Sequence, residues 1–499
     1  MDISVKNQEL TGILSNVLVI GIFEDDKTLS SGAKRVDEAL LGLISEQIIK
    51  KEGFKAKFGD SVVVPTNLKI PSDKIMLAGL GKKKEFDTSK LCELMSKLIK
   101  QLDKTLGAKN ISCELIGHQE ANFDAQKCAE AMSIGILAGM YDFDKYKTKK
   151  NIPQIKKIRI ATENTKDEKA AKAGVNTAKI LCSAMDFTKD LINEPAQNAT
   201  PEEIAQIAKN MSEDLGLTFK VYNKKQLQQM NFNAFLAVGQ GSGREPKFIH
   251  LTYKPASKKP KKKIVLIGKG ITFDSGGLDI KPANSMLTMK TDMSGCATVL
   301  GVIQAIAALK PDVEVHALSA LCENMPSGMS YKQGDVLVAK NGKTIEVDNT
   351  DAEGRLTLAD VLTYADELDA DEVIDIATLT GACIVALGQN ITGIMGNNPE
   401  MIKRIIKTGA QSGETLWELP IFDDMQEMLK SDIADMRNTG SRFAGASVAG
   451  RFLQNFTKSK NWAHLDIAGT AFIDKPYKEL NKGATGVMVR TLTNYIMSM

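Results

Sequence analysis

Histidine is scarce in this chain, with four residues among 499, and none falls in the segments that carry its densest charge. A zinc centre built on imidazoles therefore has little to draw on. The seven cysteines (Cys92, Cys113, Cys128, Cys182, Cys296, Cys322 and Cys383) include no CxxC pair and make an odd total. That pattern argues against a disulfide framework or a thiolate zinc site and reads as reduced thiols of a cytoplasmic protein. An excess of one charge is also missing: 64 Lys and Arg against 61 Asp and Glu leave a net charge of +3. Such a balance argues neither for nor against a nucleic-acid or membrane partner. The most apolar window, IATLTGACIVALG at 376–388, is too short and too rich in Gly and Thr to span a bilayer. The first residues, MDISVKNQELTGILSN, carry two acids and lack the apolar core of a signal peptide.

What is present is an ordinary globular composition, 43% hydrophobic and 25% charged, in a chain long enough for two domains. Residues 1–163 alternate between strand and helix patterns. KIMLAGLG at 74–81 is a strand, and Leu91, Leu94, Met95, Leu98, Ile99 and Leu102 line one face of the helix after it. QIKKIRIAT at 154–162 closes this unit. The polar, alanine-containing stretch 164–192 reads as a long helix joining it to a second unit, 193–499. There Thr200, Pro201 and Glu203 make a capping box with proline at the first helical position. Strand patterns at 247–254, 263–268, 313–321 and 372–379, with a helix at 295–309 between two of them, predict an α/β domain with a largely parallel sheet. The lysine run 258–263 reads as a solvated loop between two strands. The glycine-rich segment 266–277 fits neither phosphate-binding pattern.

Three acid-bearing segments stand out. GKGITFDSGGLDIKP (268–282) carries Lys269, Asp274 and Lys281 directly after a strand. MLTMKTDMSGCA (286–297) places Asp292 where a strand-like run becomes a helix. EVDNTDAEGR (346–355) crowds Asp348, Asp351, Glu353 and Arg355 into a turn, with a helix expected from Thr357. Each segment is expected at the carboxyl end of a strand, where open α/β sheets bind ligands. If they meet, Asp274, Asp292, Asp351 and Glu353 cannot all stay ionised without compensating charge, and two divalent cations would supply it. An oxygen-rich set suits Mn²⁺, Mg²⁺ or Zn²⁺ without choosing among them. Read singly, Asp292 and Asp351 serve equally well as helix caps, and Asp-x-Glu-Gly as a plain turn.

NTDAEGRL at 349–356 resembles the signature of the leucyl (cytosol) aminopeptidases, the M17 metallopeptidases. The two other segments are similar to that family's remaining site segments, in the same order. The likeness extends to NEPAQNATP (193–201), HLDIAGTA (464–471) and KGATGVMVRTL (482–492). It implies a macro-like amino-terminal domain and a catalytic carboxy-terminal domain. It further implies that Lys269, as a neutral amine, with Asp274, Asp292, Asp351 and Glu353 ligates two metal ions, manganese or zinc, bridged by Asp274 and Glu353. Lys281 would polarise the scissile carbonyl, and Arg355 would hold a bicarbonate that serves as general base. A metal-bridged water would attack peptides that have a free N-terminus.

By the same likeness Met289, Thr378, Gly381, Ala468 and Ala471 would line the pocket for the first side chain, and their small or apolar character favours leucine or methionine. A homohexamer is implied as well. DNA binding, which some bacterial members add, and cysteinyl-glycine dipeptidase action are the alternatives; nucleic acid is the less favoured. Lys189 replaces a frequent arginine of the family, and Phe472 a frequent tryptophan.

Overall fold

The computed structural model describes residues 1–25, 29–118, 121 and 123–499. The chain divides into two compact units: Met1–Cys182 with Pro476–Asn481, and Ser183–Lys475 with Lys482–Met499. The division falls inside the helix Thr165–Asn193. The return of Pro476–Asn481 to the first unit is not visible in the sequence pattern, which assigns 193–499 to one domain.

The first unit is built on a six-stranded sheet. Its strands are β1 (Asp2–Asn7), β2 (Val17–Phe23), β3 (Ser61–Pro65), β4 (Lys74–Gly81), β5 (Asn110–Glu114) and β6 (Lys157–Thr162), in the order β1-β6-β5-β2-β4-β3. Neighbours are parallel except β3 on β4. Every residue of β2, VLVIGIF, is buried, as a strand covered on both faces requires. The helix Thr88–Lys104 starts at the Asp87 side chain, which accepts from the Lys90 N–H, and buries the apolar face its spacing predicts.

The second unit carries β7 (Thr218–Tyr222), β8 (Lys247–Tyr253), β9 (Lys262–Asp274), β10 (Val313–Asn324), β11 (Val336–Val338), β12 (Thr344–Glu346), β13 (Glu372–Ala377), β14 (Ile391–Gly396), β15 (Thr415–Glu418), β16 (Met436–Arg437) and β17 (Trp462–Asp466). Eight of them form a mixed sheet in the order β15-β14-β17-β13-β9-β10-β8-β7. Its centre, β17-β13-β9-β10, is parallel. A separate three-stranded sheet joins β11, β12 and β16. Helices cover both faces of the large sheet over two apolar cores.

The helix Ser294–Leu309 is apolar nearly all round and accordingly buried. It lies directly on the strands through glycines. A Cβ on Gly268 would stand 2.4 Å from the Gly295 carbonyl oxygen, and one on Gly295 would stand 2.1 Å from that of Ile376. At Thr200 the hydroxyl accepts from the Glu203 N–H, the first half of the expected capping box; the reciprocal box forms at Asn223 and Gln226. Among the described residues, no helix is long and apolar enough to cross a membrane.

Candidate active site

The central strand β9 extends well past its apolar run. Lys269 and Asp274 therefore lie within the strand, not in a loop after it. Nor does Asp292 follow a strand: short helical turns at Ala283–Met286 and Met289–Thr291 lead into it. The helix after the signature begins at Gly354 rather than Thr357, which puts Arg355 in its first turn, and the strand before it, β12, belongs to the small sheet. Of the three segments, only that of Asp274 leaves the carboxyl end of a strand of the large sheet.

The segments nonetheless meet. Lys269 Nζ lies 2.8 Å from Asp292 and 2.8 Å from Glu353, and donates to the Thr378 carbonyl at 3.0 Å. Lys281 Nζ lies 2.9 Å from Asp274 and 2.5 Å from Asp351. Ligand oxygens of Asp274, Asp351 and Glu353 fall within 4.8 Å of one another. Gly354 makes this approach possible, because a Cβ there would stand 2.3 Å from Lys269 Cε. Neither Asp292 nor Asp351 works as a cap. Asp292 instead accepts from the Thr378 hydroxyl at 2.7 Å.

Burial and crowding set the charge states. Burial and the neighbouring Glu353 push the Asp274 carboxyl up to about 6, against Lys281 and Lys269. Burial also raises Asp292 and Asp351 above the usual carboxylate range. Burial opposes the charge of Glu353 too, but Lys269 and Lys281 outweigh it and hold that carboxyl low. For Lys269, burial disfavours the ammonium, yet Asp292, Glu353 and Asp274 raise its pKa overall.

The site passes one test of fitness for cations. Asp292 Oδ2, Asp351 Oδ1 and Glu353 Oε1 are buried atoms whose one close partner is a lysine nitrogen, and four carboxylates share two lysines. Carboxylates withdrawn from water in excess of the positive charge beside them are costly, and hard cations would compensate them.

Of the expected pocket residues, Met289, Thr378 and Ala468 are half-buried and Gly381 is exposed. Ala471 is different: it is 1% exposed and packs into the apolar core. It offers no surface to a substrate, a correction to its expected place in the pocket.

Several residues that hold the site are not apparent from the sequence. Asn324, register partner of Asp274 at the end of β10, donates to Asp274 Oδ1 at 2.8 Å and to the Thr350 carbonyl at 3.0 Å. Asp279 accepts from the Thr350 N–H and hydroxyl. Asn438 braces the signature turn, taking the N–H groups of Asp348 and Asn349 and donating to the Asn349 carbonyl, while its own carbonyl accepts from Arg355. The only signal available was a polar residue closing an apolar strand, as at Asn324. Asp348 accepts from the Thr439 hydroxyl and lies at the surface of the turn.

The sequence matches the catalytic domain of the cytosol aminopeptidase family over residues 186–493 and that family's N-terminal domain over 19–150. A probable cytosol aminopeptidase of Sulfurihydrogenibium sp. (strain YO3AOP1) is 41% identical over 499 residues, 100% of this chain and 98% of the relative. One from Aquifex aeolicus (strain VF5) is 44% identical over 459 residues, 91% and 90% of the two chains. Among solved structures, a mutant of tomato leucine aminopeptidase superposes with a TM-score of 0.88 at 32% identity, covering 100% of this chain and 97% of the other. The bottromycin maturation enzyme BotP in complex with Mn gives a TM-score of 0.85 at 29% identity, covering 97% and 99%. The acid cluster and its lysines thus sit in a member of the cytosol aminopeptidase family, an aminopeptidase family of metal-dependent hydrolases, and this chain belongs to it.

Proposed function

We propose that the chain is a two-metal aminopeptidase that removes the first residue, preferably leucine or another apolar one, from peptides with a free N-terminus. The observation that carries this reading is the set of four carboxylates, Asp274, Asp292 and Glu353 buried and Asp351 half-buried, packed against only two lysines, Lys269 and Lys281. Asp274, Asp292, Asp351, Glu353 and the amine of Lys269 would hold two divalent cations. Manganese or zinc suits that donor set, and the Mn complex of BotP supports the choice. When bound, such cations supply Lewis acidity and lower the pKa of water towards neutrality.

The chain's own groups do the rest. Lys281, at the more open side of the cluster, would donate to the peptide carbonyl oxygen and steady the negative charge that develops there. Arg355 would hold a bicarbonate as proton acceptor, so no histidine is needed for that step. A free chain-end amine would offer the cations a nitrogen ligand that a blocked one would not. Met289, Thr378, Gly381 and Ala468 would receive the first side chain. In keeping with the family likeness, the protein would work in the cytoplasm as a homohexamer.

A chelator should abolish cleavage of leucine p-nitroanilide, and Mn²⁺ or Zn²⁺ should restore it. A panel of amino-acid amides with cysteinyl-glycine would rank the substrates. Chelator-insensitive hydrolysis, or faster cleavage of an acidic than of an apolar first residue, would overturn the reading.

A further inference from the structure

One row behind the acid cluster, the same face of the sheet carries a second set of buried charges. Asp375 of β13 pairs in register with His464 of β17, and Ala377 with Asp466. On its other side Asp375 pairs with Ile267 of β9. Lys269 stands two residues beyond Ile267. Asp466, Ala377 and Lys269 therefore share the row of the site, and His464, Asp375 and Ile267 form the row behind, roughly 6–7 Å away at the rise of a strand.

Asp375 and His464 are fully buried, and Asp466 nearly so. His464 Nδ1 lies 2.5 Å from Asp375 Oδ1, and Asp375 Oδ2 accepts from the Trp462 indole N–H at 2.7 Å. Asp466 accepts from the Leu379 N–H, the Thr380 hydroxyl and the Ala468 N–H, and so ties down the segment after β13. Over this face lies the helix Gly354–Asp366, whose Leu356, Leu358 and Ala359 share an apolar core with Val373, Ala377 and Trp462. Arg355 is in its first turn and donates from Nη1 to the Asn438 carbonyl. Two buried nitrogens have no partner here, Arg355 Nε and His464 Nε2.

Carboxylates withdrawn from water are stabilised by hydrogen bonds and by positive charge close by. Arg355 interacts with Asp466, and the His464 ring lies against Asp375. Burial opposes the charge on His464, but Asp375 and Asp466 prevail and raise its pKa, with Arg355 pulling the opposite way.

We infer that His464, fixed by Asp375, is a positioning residue for Arg355: its pairing with the buried aspartates leaves the guanidinium free to stay at the Asn438 carbonyl beside the signature turn. Without it, Asp375 and Asp466 would draw Arg355 down into the sheet. The inference rests on the aminopeptidase reading above.

The metal-loaded enzyme and three variants test it: His464→Gln, Arg355→Met and the double. His464→Gln should lower kcat about 10–100-fold, as loss of a supporting partner does, with KM changed by less than about 3-fold and metal content unchanged. In the Arg355→Met background the same substitution should change kcat by less than about 3-fold, because the two residues act as a unit. Equal losses in both backgrounds would mean that His464 merely supports the fold and would overturn the proposal. A second readout needs no activity. In protein carrying ¹⁵N-histidine, the His464 signal, assigned by elimination among four histidines, should shift in Arg355→Met. An unmoved signal would overturn the proposal. A wild-type protein without peptidase activity would instead sink the aminopeptidase reading and leave the spectroscopic comparison standing.

Discussion

Both units collect charged side chains near the carboxyl ends of a largely parallel sheet, but in different ways. In the first unit a cavity of about 490 Å³ is lined by Asn7, Glu114 and Thr162, at the ends of β1, β5 and β6, with Arg35, His118, Glu163 and Asp167 around them. Its charges are paired conventionally: Arg35 with Glu163 and, at 3.6 Å, with Glu9, and His118 with Asp167 at 3.1 Å. Arg35 and Glu163 are more than a third exposed. In the second unit three of the four acids are buried, Asp351 being half-buried, and together they outnumber the two lysines set against them. Density of charge does not separate the two. What marks the second is burial of most of the cluster together with an excess of carboxylates over the lysines that meet them.

The largest expected effect tests that contrast. Asp351→Ala with Glu353→Ala should reduce aminopeptidase activity by about three orders of magnitude or more, with loss of bound metal, because electrostatic stabilisation at such centres is the dominant catalytic effect. Arg35→Ala with Glu163→Ala in the first unit should change kcat/KM by less than about 2-fold and stability by about 1 kcal/mol or less, as exposed pairs do. Paired assays of the two double variants, with melting curves, make the check. Comparable activity losses would show that charge density, not burial with an excess of carboxylates, is the relevant feature.

The same contrast explains what could be read from the sequence. Strand–helix alternation gave the α/β class because apolar spacing reports burial locally, and the helix Thr88–Lys104 follows its pattern closely. Lys269 and Asp274 looked like loop residues because polar side chains usually end a strand. They remain in β9 because β10 covers its edge as far as the Asn324–Asp274 register. The strand-like run before Asp292 proved helical, since a six-residue pattern cannot separate the two periods. The acids themselves were legible through glycine-rich segments and the signature. Asn324, Asp279 and Asn438 were not, because each acts across 26 to 90 residues on a segment that only the fold brings near. Ala471 was misplaced for a related reason: a small side chain reads alike in a pocket wall and in a core.

A smaller effect asks whether burial without an excess of carboxylates is enough. His250 and His316 are buried near one edge of the large sheet, but they bond each other at 2.9 Å. Tyr364 reaches His250 at 3.1 Å, and Glu314 reaches His316 at 2.9 Å. Burial, followed by the charge of His316, lowers the His250 pKa to about 3. The folded protein thus resists the proton that the unfolded chain takes up near pH 6.5. Stability is present above that pH and is lost as pH falls towards 3, by at most about 1.4 kcal/mol per pH unit for one proton. Urea midpoints at pH 7 and pH 5 should differ in that direction, and His250→Gln should flatten the difference while leaving kcat within about 2-fold. A large loss of kcat would place this cluster in the catalytic machinery after all.

The smallest expected effect lies inside the signature itself. Asp348 belongs to the same acid-rich turn as Asp351 and Glu353, yet it is exposed, and its side chain accepts from Thr439 rather than facing a lysine of the site. Its N–H, like that of Asn349, is held by Asn438, so the turn keeps its brace when the carboxylate is removed. Asp348→Ala should therefore cost about 1 kcal/mol or less, the worth of one exposed hydrogen bond, and leave kcat within about 3-fold. Metal content, followed beside the melting temperature, should not change. If Asp348→Ala instead lost metal, proximity in sequence to the ligands would outweigh burial, and the distinction between the two charged regions would fail at its closest case.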